Sequence, residues 1–404
     1  MDSGSDAGTT STVAARVLQV ALSLNPGGTE RLILDLVTRL HAVMPMAVCC
    51  IDEPGAWAPE LTQRGIQVTA VGRGHGFTPS TAGAIARAAR AHGATVIHAH
   101  HYSPFVYSGL AFVYSSLAFA SSLARFRQRT PVVFTEHGRL SDTGPSPKRR
   151  IANRVLRTLP SRVFAVSSEL ADHLAEEGFA RPQVDVIYNG IEPGPRENAA
   201  IRAARRQELG ATPNTFVIGT IARLDPVKDL GVLLRAAEDL SRRRNILVVI
   251  IGDGSERASL ERTAAELGLG ESVRFLGRRD DARDWLWACD AYANSSISEG
   301  VSLTILEAMA ASLPVVATRV GGTPEVVDET CGCLVPARDA AAIAAALSSV
   351  ADEPARRASL GRAARARVES KFTIDRMVRE YADVYRAVTA ESSTGALGAS
   401  GRLN

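Results

Sequence analysis

Short apolar runs of strand length recur along this chain, and most are followed by a stretch whose apolar residues are spaced as on a helix. The runs fall at 16–22, 46–51, 66–71, 95–99, 132–135, 162–166 and 184–187, then at 215–222, 246–251, 273–277, 289–294 and 313–317. Strands covered on both faces read as continuous apolar runs, and strand–helix alternation builds parallel sheets flanked by helices. Between the two series lies a Pro-, Gly- and Arg-rich interruption at 193–212. The expected fold class is α/β, with two doubly wound units joined by a linker. Ligands of such sheets bind beyond the carboxyl ends of the strands, so those ends carry the candidate residues.

A length of 404 residues allows two or three domains with ample core. With 46% hydrophobic residues and a net charge of +3, the chain reads as globular, and no nucleic-acid partner is expected. Five cysteines without a C-x-x-C pair give no metal or disulfide framework and fit a reducing cytoplasm. The first residues have no basic and apolar leader pattern, and 1–12 and 391–404 read as disordered tails. Tyr102–Ala124 carries no charge, but its serines, tyrosines, proline and glycine suit a buried helix better than a lipid-facing one. Within it Val106–Phe112 is nearly repeated as Val113–Phe119, which lengthens a helix by about two turns.

The densest stretch of chemistry runs from Ser295 to Glu325. Glu299 and Glu307 stand eight positions apart, about 80° apart on a helix, with mostly apolar or small residues between them. A helix starting near Ser302 would leave Glu299 in the preceding loop and carry Glu307 inside. The free amides of Ser302, Leu303 and Thr304 would then suit an anion. A plainer reading makes Thr304-x-x-Glu307 a capping box. Upstream, Arg223-Leu-Asp-Pro-Val-Lys228 follows a strand; with Asp225 as N-cap and Pro226 as first helical residue, Lys228 falls in the first turn. Two cations at a helix start are unfavourable unless an anion such as a diphosphate binds.

Earlier strand ends offer Gly27-Gly28 before a helix, then His98-Ala-His100-His101, then Thr135-Glu136-His137-Gly138. No dinucleotide or P-loop fingerprint is present, and no Asp-x-Asp triplet suggests a diphosphate-bound metal. Between Ser121 and Arg162 ten basic residues stand against two acidic ones. Pro147–Leu159 there mixes basic and apolar positions at helical spacing, a pattern for an anionic lipid surface or an ordinary solvated helix.

Glu299-Gly-Val-Ser-Leu-Thr-Ile-Leu-Glu307-Ala-Met-Ala with the following Leu-Pro-Val-Val-Ala-Thr and Gly-Gly-Thr-Pro-Glu325 resembles the E-x7-E segment of retaining GT-B glycosyltransferases of family 4. The likeness extends to Gly219–Asp229 and covers nearly everything from Arg16 to Ala390. It implies two facing Rossmann-like domains with a cleft between them, an acceptor domain at 13–192, a nucleotide-sugar domain at 213–372 and a helix at 373–390 crossing back. It further implies transfer of a sugar from a UDP- or GDP-sugar to a glycan or lipid-linked acceptor in bacterial cell-surface polysaccharide or glycolipid synthesis. The enzyme would be cytoplasmic, peripheral on the inner membrane face through 125–162, and would need no cofactor or metal.

Carried over residue by residue, His100 would face the donor sugar, with His98 inward and His101 the alternative. Arg223 and Lys228 would hold the diphosphate, Glu299 the sugar hydroxyls and Glu307 the ribose. Gly27, Gly28, Gly252, Asp253 and Arg278 would also line the donor site, and Glu136 and His137 the acceptor side. Val301-Ser302 stands where many members have a second glycine, so donor identity stays open. Two alternatives remain: a GT-B epimerase or hydrolase, and a non-catalytic nucleotide-sugar-binding relative.

Overall fold

A computed structural model describes residues 14–74, 76–120, 130–139, 147–159 and 161–394. The first sheet comprises β1 (Val17–Ala21), β2 (Met46–Cys50), β3 (Gln67–Ala70), β4 (Val96–His100), β5 (Val132–Glu136), β6 (Ser161–Ala165) and β7 (Val184–Val186) in the order 3-2-1-4-5-6-7. The second comprises β8 (Phe216–Ile221), β9 (Ile246–Ile251), β10 (Val273–Gly277), β11 (Ala291–Asn294), β12 (Val315–Thr318) and β13 (Gly332–Val335) in the order 10-9-8-11-12-13. Every named pairing is parallel. The central strands are buried along their length, as in β1, β2, β4 and β9, which is why they read as unbroken apolar runs. β13 gave no signal in the sequence, because a Gly-Cys-Leu-Val edge is too short and too weakly apolar to announce itself.

The helix Tyr102–Ala120 covers both copies of the internal repeat and packs Phe105, Tyr107, Ala111 and Phe112 into the first domain. No helix among the described residues is long and apolar enough to cross a membrane. The five cysteines are free thiols, four of them buried, and burial pushes the Cys49 thiol up to about 11.

Two crossings join the domains. The chain leaves the first at Gly190-Ile191 and returns at Phe372–Ile374, and the crossings are stitched by Ile191 N to Phe372 O at 2.9 Å and Ile374 N to Ile191 O at 2.9 Å. A Cβ at Gly190 would collide with the Thr373 carbonyl. The stretch read as a linker contains the helix Ala199–Glu208, whose Arg202 and Arg206 reach Asp290 at 2.8 and 3.1 Å and dock it on the second domain. The last helix, Ile374–Thr394, returns to the first domain and buries Met377, Tyr381, Tyr385 and Val388 there. It overruns the expected start of a disordered tail at 391, because Arg162 pairs with Glu391 at 2.6 Å and holds the last turn. The remainder of that tail and the expected leading tail lie outside the described residues.

Candidate active site

β8 and β11 are neighbours in the second sheet although two strands separate them in sequence, so the loops that follow them share one end of the sheet. Ser295 Oγ donates to the Lys228 carbonyl at 2.9 Å and Ile297 N to the Val227 carbonyl at 2.9 Å, which sews the two loops together. The Lys228 ammonium then meets Glu299 Oε1 at 2.7 Å, an oxygen that also accepts from Ser296 Oγ at 2.7 Å and Asn294 Nδ2 at 3.2 Å. Lys228 is 22% and Glu299 9% exposed, so both are partly withdrawn from water. At Gly321 and Gly322 the chain folds onto this loop; a Cβ there would strike the carbonyls of Glu299 and Gly300.

This geometry corrects the expectation for residues 223–228. Pro226–Lys228 is a single tight turn, Asp229 turns left-handed at φ 45°, and the helix proper begins at Leu230. Asp225 caps nothing with its side chain; it pairs with Arg223, which is 74% exposed. Each cation therefore already has a carboxylate partner.

The helix Leu303–Ala310 has Ser302 as N-cap with no side-chain cap bond, and among the described residues no side chain is seen to serve its first amides. It packs Ile305, Leu306, Ala308 and Met309 into the core. Thr304 Oγ1 accepts from the Tyr292 hydroxyl at 2.9 Å, and Glu307 sits in the second turn, so the capping-box alternative fails. Glu307 lies 3.8 Å from Arg283. Burial raises its pKa, while Arg283 and Arg31 of the helix Gly28–Leu40 pull it the other way. A carboxylate so placed is held by no short protein hydrogen bond among those described and can accept from a ligand's hydroxyls.

The glycine loop at Gly27 and Gly28 caps the helix Gly28–Leu40 opposite Leu303 of the second domain, 3.8 Å from where a Gly28 Cβ would be. Gly252, at φ 135°, and Gly254 allow the loop after β9 to press against the Ala222 and Leu224 backbone, so the close approach is to the chain itself. Asp253 accepts from Gly254 N at 2.8 Å and Arg257 at 3.0 Å, and these bonds hold its carboxyl below the usual range. Arg278 is exposed just after Gly277.

Across the cleft, a Cβ on Gly300 would strike the His137 carbonyl, and Asn189 Nδ2 donates to the Val301 carbonyl at 2.9 Å. Here β4 and β5 end side by side and assemble the histidines. His98 is buried between the Tyr385 hydroxyl at 2.6 Å and Thr135 Oγ1 at 2.9 Å, inward as expected. His100, expected to face a sugar, is only 2% exposed: its Nε2 meets Gln19 Oε1 at 2.7 Å and its Nδ1 meets His137 Nε2 at 2.9 Å. The half-buried rings are His101 and His137. Burial lowers the pKa of His98, His100 and His137 and keeps them neutral. For His101 burial also acts downward and is the largest single effect, but the Glu136 carboxylate, 3.0 Å from Nδ1, and the charge of Glu30 together outweigh it and the pKa is raised. Gln19, Thr29, Tyr381 and Tyr385, all bonded into this cluster, were not singled out from the sequence: Gln19, Tyr381 and Tyr385 sit in strand or amphipathic-helix patterns, and Thr29 in the glycine-rich turn before a helix.

Of the basic stretch, Arg125, Arg127 and Arg129 lie outside the described residues. The helix Pro147–Leu156 ties Arg149 to Glu177 at 2.7 Å, and leaves Ile151 66% and Val155 64% exposed among Arg150, Arg154 and Arg157.

Two parallel α/β domains facing across a cleft, with a last helix crossing back, define the GT-B architecture. The family model of glycosyltransferase family 4 matches residues 26–194, and that of glycosyl transferases group 1 matches residues 201–367. The chain belongs to this glycosyltransferase family. It is 35% identical over 289 residues to a D-inositol 3-phosphate glycosyltransferase of Streptomyces avermitilis, a match covering 66% of this chain and 62% of that relative. A second protein so named, from Saccharomonospora viridis, is 34% identical over 291 residues, covering 66% of this chain and 67% of its own length. The crystal structure of Anabaena Alr3699/HepE in complex with UDP superposes with a TM-score of 0.79 at 24% identity, over 92% of this chain and all of that one. A glycosyltransferase from Rickettsia africae gives 0.78 at 19%, over 93% and 98%. These two likenesses bear on the fold.

Proposed function

We propose that the chain is a retaining glycosyltransferase that moves a hexosyl unit from a UDP- or GDP-sugar to a glycan or lipid-linked acceptor in bacterial cell-surface polysaccharide or glycolipid synthesis. The observation that carries this reading is the convergence of Lys228, Glu299 and Glu307 at one end of the second sheet, facing the glycine loop of the first domain. In this reading Arg223 and Lys228 exchange their carboxylate partners for the donor diphosphate, Glu299 takes sugar hydroxyls, and Glu307 takes the ribose hydroxyls. The amides at Ser302, Leu303 and Thr304 face the phosphate or sugar. Glycosyl transfer builds negative charge on the leaving diphosphate, so cations already aimed at it stabilise the transition state more than the ground state. No divalent metal is required, since Lys228 and Arg223 supply the charge. Attack on the same face as the departing group, with the leaving phosphate taking the acceptor proton, needs no protein base. The complexes of Alr3699/HepE with UDP and with UDP-glucose favour uridine among the donors to try.

The likeness to D-inositol 3-phosphate glycosyltransferases supports a second acceptor, a phosphorylated cyclitol such as inositol phosphate. The exposed Ile151 and Val155 among arginines favour the lipid-linked acceptor and attachment to the inner membrane face. The experiment is a thermal-shift screen against UDP-, GDP- and ADP-sugars, followed by turnover of the stabilising donor with inositol phosphate or a polyprenyl-linked sugar. Donor turnover without either acceptor would instead indicate an epimerase or hydrolase. Donor binding with no turnover would indicate a binding-only relative.

A further inference from the structure

We propose that Gln19 and Tyr385 are positioning residues that fix His137 as its Nε2–H tautomer and so keep Nδ1 a bare acceptor for a substrate hydroxyl. The identity of that substrate rests on the glycosyl-transfer reading; the proton arrangement follows from geometry. Tyr385 Oη lies 2.6 Å from His98 Nδ1 and 3.1 Å from Gln19 Nε2. The shorter separation suits a hydroxyl donor and the longer an amide N–H donor. Tyr385 has one proton, so giving it to His98 obliges the hydroxyl to accept from Gln19. Gln19 must then present its carbonyl oxygen to His100 Nε2, 2.7 Å away, and that nitrogen must carry the proton.

Burial keeps His100 neutral, so its Nδ1 is a lone pair, and His137 Nε2 at 2.9 Å can only donate to it. His137 is also held neutral, which leaves Nδ1 without a proton. That atom is buried, and no protein group among the described residues bonds to it. Reversing the Gln19 amide would reverse every assignment and turn Nδ1 into a donor. The hydroxyl on the crossing helix thus decides, through Gln19 and His100, which nitrogen of the His137 ring carries the proton, and the backbone carbonyl of the same residue lies against Gly300 of the second domain.

The other end of the network agrees. With His98 Nδ1 accepting, Nε2–H donates to Thr135 Oγ1 at 2.9 Å, and Thr135 passes its proton to Tyr381 at 3.0 Å. No group is asked to donate twice.

The test uses the full chain labelled with 15N-histidine, with His137 assigned by its loss in His137→Gln, and long-range proton–nitrogen correlations that distinguish the two tautomers. Wild type should show Nε2–H at His137. Tyr385→Phe and Gln19→Leu should each give a mixture, whereas Gln19→Glu, whose carboxylate can only accept, should retain Nε2–H. In transfer assays Tyr385→Phe should lower kcat about tenfold with the donor KM nearly unchanged, the scale seen when an outer partner that orients a histidine is lost. Retention of the pure Nε2–H form in both Tyr385→Phe and Gln19→Leu overturns the proposal, as does a shifted tautomer with unchanged kcat. Should wild type transfer no sugar at all, that failure belongs to the functional reading, and the tautomer shift alone then decides whether Gln19 and Tyr385 set the ring.

Discussion

The Glu325 carboxylate of the second domain accepts the Tyr188 hydroxyl of the first at 2.7 Å. The same carboxylate takes Ser168 N at 2.9 Å and Glu169 N at 3.1 Å, sealing the start of the helix Ser168–Glu176 from across the cleft. Burial, and then the bond to Glu325, raises the Tyr188 pKa. Glu325 closes the Gly-Gly-Thr-Pro-Glu string, so the glycines that crowd Glu299 and the carboxylate that latches the domains belong to one turn of chain. Glu325→Ala should cost about 1–3 kcal/mol by leaving these donors unmet. Differential scanning calorimetry should show a melting temperature lower by several degrees, with the first-domain transition moving first.

Glu307→Gln tests the ribose assignment. Burial already disfavours the Glu307 charge, so the neutral amide should leave the melting temperature unchanged or slightly higher. Nucleotide affinity, measured by titration calorimetry, should fall by about tenfold as charge-assisted bonds to the ribose are lost. A drop in stability with affinity intact would make Glu307 a structural residue.

The histidine cluster predicts acid sensitivity. His98, His100 and His137 have folded pKa values below the unfolded value of about 6.5, so the unfolded chain binds the extra protons. Their contribution is complete above that pH and is lost as the pH falls below it. His101 works oppositely: its pKa is raised, so its pairing with Glu136 is complete below about pH 6.5 and fades as the pH climbs through its folded value. With three groups against one, denaturant midpoints should drop between about pH 6.5 and 5, and His100→Gln should flatten that slope.

For the surface helix and the turn after it, the five basic residues Lys148, Arg149, Arg150, Arg154 and Arg157 near an anionic bilayer, at about 1 kcal/mol each, suffice for reversible attachment. Full-length protein should pellet with anionic liposomes at low salt and come off as salt rises. Ile151→Ser with Val155→Ser and Arg154→Ala should stay in the supernatant. No pelleting by wild type would favour the soluble, phosphorylated acceptor.

Strand ends, the glycine turns and the carriers of charge could be read from the chain because apolar runs and spacing are local. What could not be read is partnership. Lys228 meets Glu299 only because β8 lies beside β11, and sheet order is not written in either loop. His100 was expected to face the donor sugar from its strand end, yet it is buried against Gln19 on β1, 81 residues away, and Gln19 in turn meets Tyr385 on the last helix, 366 residues from it. Pro226 after Asp225 promised a helix start, but the left-handed Asp229 delays it and turns Lys228 toward the carboxylate.

Lys228 bears the account's central claim, that the second domain binds a nucleotide sugar through its diphosphate and catalyses its transfer. The measurement is release of nucleoside diphosphate from the donor found by thermal shift, for wild type and Lys228→Ala, with and without EDTA. Wild type should turn over equally in EDTA. Lys228→Ala should keep its melting temperature and lose about 10²–10³ in rate, the scale for removing one charge-stabilising group. Unchanged turnover in Lys228→Ala, or activity abolished by EDTA and restored by a divalent cation, would contradict it.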